Sequence, residues 1–203
     1  MPSGMNAQEG IATAPDGAVW FAGSLPGAHP ARAQLGRLDA KQAVVGTSNG
    51  MTQFPLADNP SSCCVRQVRD MTFDSVNGRV WFVRSDGVVG YSQTSQMVAG
   101  STTGQASAVT PGGEDLGGVA LNSSGQAWIT ETSTQNSAPG GYPGNRTALV
   151  TPQPGVSPPL LVSEKPNLPQ FDSKPTAITV SALDTPFFVE SATGNIASFQ
   201  GSS

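Results

Sequence analysis

The chain consists of short apolar segments separated by polar turns, and one pattern of such segments occurs four times. In the first copy, "GIATAPDGAVWFAG" at 10–23, an apolar strand is followed by an Asp-Gly turn and by a second strand that carries Trp20. An Asp-Gly pair between two apolar runs is a strong signal for a β-hairpin. The other copies lie at 69–84, 117–131 and 176–190. Each copy therefore predicts a hairpin.

One large aromatic residue marks the second strand of every copy. These anchors are Trp20, Trp81, Trp128 and Phe187, and they are 61, 47 and 59 residues apart. Such a spacing is typical of four-stranded β units that are joined by loops of variable length. Because the same packing position recurs, we predict that the four rings are structural blade anchors between neighbouring sheets.

Further strands follow each hairpin. Third strands are predicted at 33–39, 86–93, 146–152 and 194–200, and fourth strands at 51–57, 106–111 and 159–164. The domain prediction is a single unit over 1–203, with repeats near 8–57, 67–111, 115–164 and 174–203. No segment has a convincing helical period, so we expect very little helix.

The strands of the hairpins are apolar at consecutive positions instead of alternating. This pattern indicates burial on both faces of the sheet, which a half-exposed sandwich does not require. Sheets stacked around an axis bury both faces of their inner strands. We therefore predict an all-β fold, a β-propeller of about four blade-like repeats, as a small ring or a partial propeller. We favour a closed or nearly closed unit, because an open arc exposes strand edges and apolar blade faces.

Composition narrows the function classes. The 203 residues include 24 glycines and 17 prolines, 12% are charged, and the net charge is −4. This composition fits a folded, turn-rich chain whose solubility rests on uncharged polar side chains. The 10 Lys and Arg residues form no cluster, which argues against nucleic acid as a partner. We expect no membrane span, and the first residues, 1–10, show no signal peptide.

The first copy also carries a motif that resembles a known family. The pattern I-x-x-x-PDG-x-x-WF runs from Ile11 to Phe21, and "GR" at 36–37 and "FPL" at 54–56 follow it. This succession resembles the blade repeat of the virginiamycin B lyase (streptogramin lyase) family of β-propellers. The other three copies match in outline. The resemblance implies the propeller fold, but it does not by itself imply lyase activity, because one fold hosts many functions.

Two features depart from what the resemblance implies. It implies a seven-bladed ring, a histidine base and a metal-bound acidic cluster in the channel. This chain has four copies of the repeat and one histidine, His29, which lies in a loop between the second and third strands of the first copy. No catalytic position of the family can therefore be placed on this sequence.

The residue three positions after each anchor ends the aromatic strand. These residues are Gly23, Arg84, Glu131 and Glu190. Equivalent positions of successive blades line one mouth of a propeller channel, so three charged groups are predicted to converge there. One interpretation is a ligand or cation site, with the two glutamates as oxygen ligands for Mg²⁺ or Ca²⁺ and Arg84 as an anion hook. The interpretation that we favour is a solvated rim with an ion pair.

Other chemistry-bearing motifs are weak. Cys63 and Cys64 are adjacent, a spacing that binds no metal and makes a strained disulfide, so we expect two thiols. The triplets at 122–124 and 145–147 match the glycan acceptor pattern, which is common by chance in a chain rich in Ser and Thr. The Gly-rich stretch at 110–118 lacks the Gly-Lys pair of a phosphate-binding loop.

These observations favour a non-catalytic binding or structural module that mediates protein–protein or ligand contacts. A polar, weakly charged chain of this kind suits an extracellular protein or the surface of a particle such as a virion. We expect a protein partner or assembly, a homo-oligomer included, and no resident cofactor. Two alternatives stay open: a metal-dependent enzyme of the streptogramin lyase type that opens a cyclic ester, and a partial propeller completed by another chain.

Overall fold

A computed structural model describes residues 6–24, 32–58, 67–111, 115–132, 146–165, 168 and 173–199, with side chains from Glu9 onward. Within these ranges the chain forms 15 β-strands and a single turn of 3₁₀ helix at Thr94–Gln96. The strands make four antiparallel sheets, each in chain order, so that every strand pairs with its sequence neighbour. The predicted all-β fold with very little helix is confirmed.

Each sheet contains one of the four sequence repeats, and we call the sheets blades 1 to 4. Blade 1 holds β1 (Asn6–Thr13), β2 (Val19–Ser24), β3 (Ala33–Leu38) and β4 (Met51–Pro55). Blade 2 holds β5 (Val68–Asp74), β6 (Arg79–Arg84), β7 (Val88–Gln93) and β8 (Gln105–Val109). Blade 3 holds β9 (Leu116–Leu121), β10 (Ala127–Glu131), β11 (Arg146–Pro152) and β12 (Leu160–Glu164). Blade 4 holds β13 (Pro175–Val180), β14 (Pro186–Glu190) and β15 (Asn195–Ser198).

The first hairpin turn shows why the Asp-Gly signal predicts these elements. Gly17 has a φ of 82°, which costs little for glycine and is unfavourable for other residues. The preceding Asp16 accepts a hydrogen bond from the Ala18 backbone N–H at 2.9 Å and an ion pair from Arg37 on β3 at 2.7 Å. The turn therefore fixes the register between β1 and β2 and is itself tied to the third strand.

The first strand of every blade contains a register shift at an equivalent position. Its pairing with the second strand is interrupted between Ala7 and Ile11 in blade 1, and similarly in the other three blades. A β-bulge bends and twists a strand, so it changes the direction of the strand before the hairpin. At the bulge of blade 3 a Cβ on Gly118 would lie 2.6 Å from the Thr176 carbonyl oxygen of blade 4. The first strands of neighbouring blades thus approach within backbone contact.

The blades stack through these first strands. β1 packs on β5, β5 on β9 and β9 on β13, which places the first strand of each blade innermost. Each blade has two faces: the anchor face carries the anchor residue, Trp20, Trp81, Trp128 or Phe187. The counter face carries the residue that follows it, Phe21, Phe82, Ile129 or Phe188.

All three blade interfaces have the same direction. Trp20 on the anchor face of blade 1 shares a buried core with Phe82 on the counter face of blade 2. Trp81 shares a second core with Ile129 of blade 3 in the same way. Between blades 3 and 4, the Trp128 ring stacks on Phe199 with 6.4 Å between centroids. Each blade therefore covers the anchor face of the blade before it.

In the described part of the chain the stack is an open arc. β13 makes no packing contact with β1 comparable to that between successive blades. β14 is alternately buried and exposed, with Phe187 40% and Val189 38% exposed, whereas every residue of β10 is buried. Within the described ranges no blade covers the anchor face of blade 4, so the expected closed unit is wrong. The structure is a partial β-propeller.

Candidate functional site

Arg84, Glu131 and Glu190 end the second strands of blades 2, 3 and 4, where the repeat predicts them. Their exposed fractions are 1%, 0% and 5%. A charged group at this depth needs a partner, because leaving water without one is costly. Each of the three side chains makes at least one polar contact within its own blade. Their convergence at one channel mouth stays a prediction.

Arg84 is held by a buried carboxylate two residues further along the chain. Its Nε donates to Asp86 Oδ1 at 2.8 Å, and its Nη2 donates to the other carboxylate oxygen. Its Nη1 donates to the Ala57 carbonyl oxygen at 2.7 Å. Two parallel bonds to a carboxylate fix the plane of a guanidinium. Arg84 thus joins blade 2 to the segment that follows blade 1.

Glu131 belongs to a row of three charged residues across blade 3. Arg146 lies directly opposite it on β11, and its Nε donates to Glu131 Oε2 at 2.8 Å. The same guanidinium donates through Nη1 to Glu164 Oε2 on β12 at 2.6 Å. One cation is therefore shared by two carboxylates, through one oxygen of each. The predicted Mg²⁺ or Ca²⁺ site at Glu131 and Glu190 stays a prediction.

Glu190 lies at the turn between β14 and β15. Its backbone carbonyl oxygen accepts from the Gly194 N–H at 2.9 Å, and Thr193 Oγ1 lies 3.4 Å from its Oε2. These contacts hold the glutamate within blade 4. Within the described ranges, no three His, Cys, Asp or Glu side chains come together as a set of metal ligands.

A second polar cluster, which the sequence reasoning missed, lies at the innermost strands. Arg69 on β5 pairs with Asp115 at 2.9 Å and lies 3.9 Å from Glu9 on β1. The hydrogen bond to Asp115 is the main reason that the pKa of Arg69 is raised. Glu9 lies two residues before Ile11, and Arg69 lies two residues before the equivalent Met71. This shared position in the repeat is the signal that could have found them. The cluster connects blade 1, blade 2 and the start of blade 3.

Asp70 links blades 2 and 3 in the same region. Its Oδ2 accepts from the Val119 N–H on β9 at 3.0 Å, and its Oδ1 accepts from the Met71 N–H at 2.8 Å. Burial raises the pKa of Asp70, and these two backbone hydrogen bonds oppose the rise. These two N–H donors make the carboxylate a structural acceptor, and the bond from Val119 joins blade 2 to blade 3.

A cavity of about 390 Å³ opens beside the hairpins of blades 1 and 2. Residues 11–13 of β1 and 71–73 of β5 line it, and they provide two threonine hydroxyls and no titratable side chain. A cavity without an acid, a base or a nucleophile activated by one can hold a ligand but offers no general acid–base chemistry.

Several sequence candidates lie outside the described residues. These are His29, the adjacent thiols Cys63 and Cys64, and Asn145 of the second glycan triplet. Asn122 of the first triplet is described, and its side-chain Nδ2 donates to Gln126 Oε1 at 2.9 Å within a turn. No helix in the described ranges has both the length and the apolar character that crossing a bilayer requires.

Comparison with known proteins identifies the fold. No protein-family model and no curated protein sequence matches the chain. Among solved structures, a catalytically inactive variant of virginiamycin B lyase from Staphylococcus aureus with quinupristin superposes with a TM-score of 0.65 at 18% identity. A streptogramin B lyase gives a TM-score of 0.61 at 18% identity, and a protein from Lactobacillus plantarum gives 0.59 at 8%.

The matches cover nearly all of this chain but only part of each solved structure. They cover 99%, 99% and 98% of this chain but 57%, 56% and 56% of the other chains. The chain therefore spans little more than half the length of the solved structures that it matches, and identities this low show the fold alone. The similarity predicted from the repeat is confirmed at that level: the chain has the fold of a partial β-propeller similar to the propellers of the streptogramin lyases.

Proposed function

We propose that the chain is a non-catalytic binding and structural module whose work is contact with other protein through the ends of its arc. The observation that carries this proposal is the exposure of apolar residues on the two terminal blade faces. On blade 4 these are Phe187, Val189 and Ile196, and on blade 1 Ile11. The equivalent residues of inner blades are buried.

A comparison with blade 2 shows how much more exposed the anchor face of blade 4 is. On its anchor face, Trp81 and Val83 are fully buried, whereas Phe187 and Val189 at the same positions of blade 4 are 40% and 38% exposed. Fully burying one such side chain contributes about 1.5–3 kcal/mol. A contiguous apolar patch on a polar surface is typical of an interaction site. Burial of the two end faces against a protein partner would therefore be energetically favourable.

The state of the charged strand-end residues supports the non-catalytic part of the proposal. Arg84 is paired with Asp86, and Glu131 shares Arg146 with Glu164. Groups that are buried and paired in this way fix strands relative to one another, and breaking such a pair is strongly destabilising. Their arrangement serves the structure of the blades.

We place the module outside the cell or on the surface of a particle such as a virion. The support is compositional: only 12% of the residues are charged, and the surface relies on Ser, Thr, Asn and Gln. The proposed partners are proteins of the same assembly.

A second candidate function, ring opening of a cyclic ester, is favoured by the similar fold of the lyases. The test is incubation of the purified chain with quinupristin and Mg²⁺, followed by mass spectrometry for the linear product. We expect no turnover. Turnover that is lost in a Glu131→Gln variant shown by circular dichroism to be folded, and that the exposed control Glu9→Gln leaves unchanged, would overturn the non-catalytic proposal.

A further inference from the structure

The two open faces of the arc are the two halves of one kind of interface. At every internal interface, the anchor face of one blade packs on the counter face of the next, as Trp20 packs with Phe82 and Trp81 with Ile129. Within the described ranges, no blade packs on the anchor face of blade 4 or on the counter face of blade 1. Each copy of the chain therefore carries both halves of the contact.

We infer that the anchor face of blade 4 binds the counter face of blade 1 in a second copy, so that the chain associates head to tail. The inference rests on the proposed function and names its partner. The internal interfaces are the template, because they show which blade surface covers an anchor face in this protein.

The residues at the two ends fit this template position by position. Ile11 on the counter face of blade 1 is 71% exposed, whereas the equivalent Met71 of blade 2 is 4% exposed beneath blade 1. On the anchor face of blade 4, Val189 pairs across strands with Ile196, as Val83 pairs with Val89 in blade 2. Docking of a second copy would give the exposed residues the environment that their equivalents already have.

The head-to-tail contact determines which kinds of assembly can form. A contact between two different faces closes into a ring if the rotation allows it and otherwise continues into a filament. Two four-bladed copies would make a ring of eight blades, which lies at the upper end of the usual range of about 4–8 for propellers. The smallest closed assembly is thus a dimer of twice the 20.7 kDa chain mass, and this is the assembly that we expect.

The test uses one variant at each end of the arc. Val189→Lys places a charge on the anchor face of blade 4, and Ile11→Lys places one on the counter face of blade 1. Both positions are exposed in the single copy, so the lysines reach water there and meet an apolar face only on docking. We expect sedimentation velocity to give a dimer for the unmutated chain and a monomer for each variant alone.

Mixing the two variants is the decisive step. The intact blade 1 of Val189→Lys can still meet the intact blade 4 of Ile11→Lys, so an equimolar mixture should recover a dimer with one joint. A contact between identical faces would not be rescued in this way. The matched control Val45→Lys, at a fully exposed position in the turn between β3 and β4, should remain dimeric.

Each result decides the inference. A dimer that both variants abolish and their mixture restores supports it, and so does a longer polymer that either variant abolishes. A monomeric unmutated chain, an association that both variants leave intact, or a mixture that stays monomeric overturns it. Circular dichroism confirms that each variant is folded. These outcomes concern mass alone, whereas the non-catalytic proposal fails on turnover of quinupristin, so the two failures are distinguishable.

Discussion

At the scale of single residues, two equivalent glycines on third strands show that the space around a side chain depends on the position of its blade in the arc. A Cβ on Gly90 would lie 2.7 Å from the Phe82 ring and 2.7 Å from the Ala106 carbonyl oxygen. The three atoms nearest to a Cβ on Gly36 would all belong to the ring of the equivalent Phe21. Phe82 is buried between blades, whereas Phe21 is only partly buried, on a face of blade 1 that no described blade covers.

Gly90→Ala should therefore cost more stability than Gly36→Ala. Overpacking of a buried site typically costs about 1–3 kcal/mol of the free energy of unfolding, and we expect Gly90→Ala to fall in this range. Gly36→Ala should cost less, because no described blade covers the face on which Phe21 lies. Urea denaturation of both variants measures the difference, and equal losses would contradict a looser environment at blade 1.

Asp16 gives a prediction for the pH dependence of stability. The Ala18 N–H, and after it Arg37, lower the pKa of this carboxyl. A lowered pKa in the folded state means that the contribution is present above the ordinary Asp pKa and is lost as the pH falls through the folded value.

Asp16→Asn keeps an acceptor for the Ala18 N–H and removes the charge that pairs with Arg37. The substitution should cost about 0.2–1 kcal/mol at neutral pH, the range of exposed ion pairs. The cost should shrink towards zero in acid, where the unmutated carboxyl is protonated. Thermal melts of both proteins across this range measure it, and a cost that stays constant with pH would rule out the ion pair as its cause.

At the scale of strands, the sequence pattern predicts most elements and misses what depends on pairing. The third strand of blade 3 is predicted at 146–152 and observed there. By contrast, the register shift between Val68 and Asp70 in β5 is not predicted, because the charged Arg69 and Asp70 carry no apolar pattern there. The pair of Glu131 with Arg146 was missed for a similar reason, since only the strand register places Arg146 opposite.

Thr130 gives a test of how strands of different blades are joined. Its hydroxyl accepts from the Gly118 N–H at 2.8 Å and donates to the Thr176 carbonyl oxygen of blade 4. Valine has nearly the same shape but would leave both backbone groups without this partner. Thr130→Val should therefore cost about 1–3 kcal/mol of the free energy of unfolding.

Hydrogen exchange locates that loss. Because the bond joins blade 3 to blade 4, amides of β13 and β14 should lose protection in Thr130→Val while those of β2 and β6 keep it. Thr102→Val, on an exposed turn of blade 2, is the control and should change neither. Uniform loss of protection over all four blades would mean that the arc unfolds as one unit and not from its end.

At the scale of the whole molecule, the burial of each anchor depends on the position of its blade in the arc. Trp81, between blades 2 and 3, is fully buried, whereas Phe187 on the last blade is 40% exposed. In a single copy, Trp81→Ala should cost about 3–5 kcal/mol of the free energy of unfolding, and Phe187→Ala clearly less. Ile11→Lys supplies the single-copy background for this measurement. In the unmutated background, where a second copy is expected to cover blade 4, the cost of Phe187→Ala should rise towards that of an inner anchor. If the cost of Phe187→Ala is the same in both backgrounds, Phe187 stays exposed to solvent in the unmutated protein. The anchor face of blade 4 would then be a solvent-exposed surface and not an interface with a second copy.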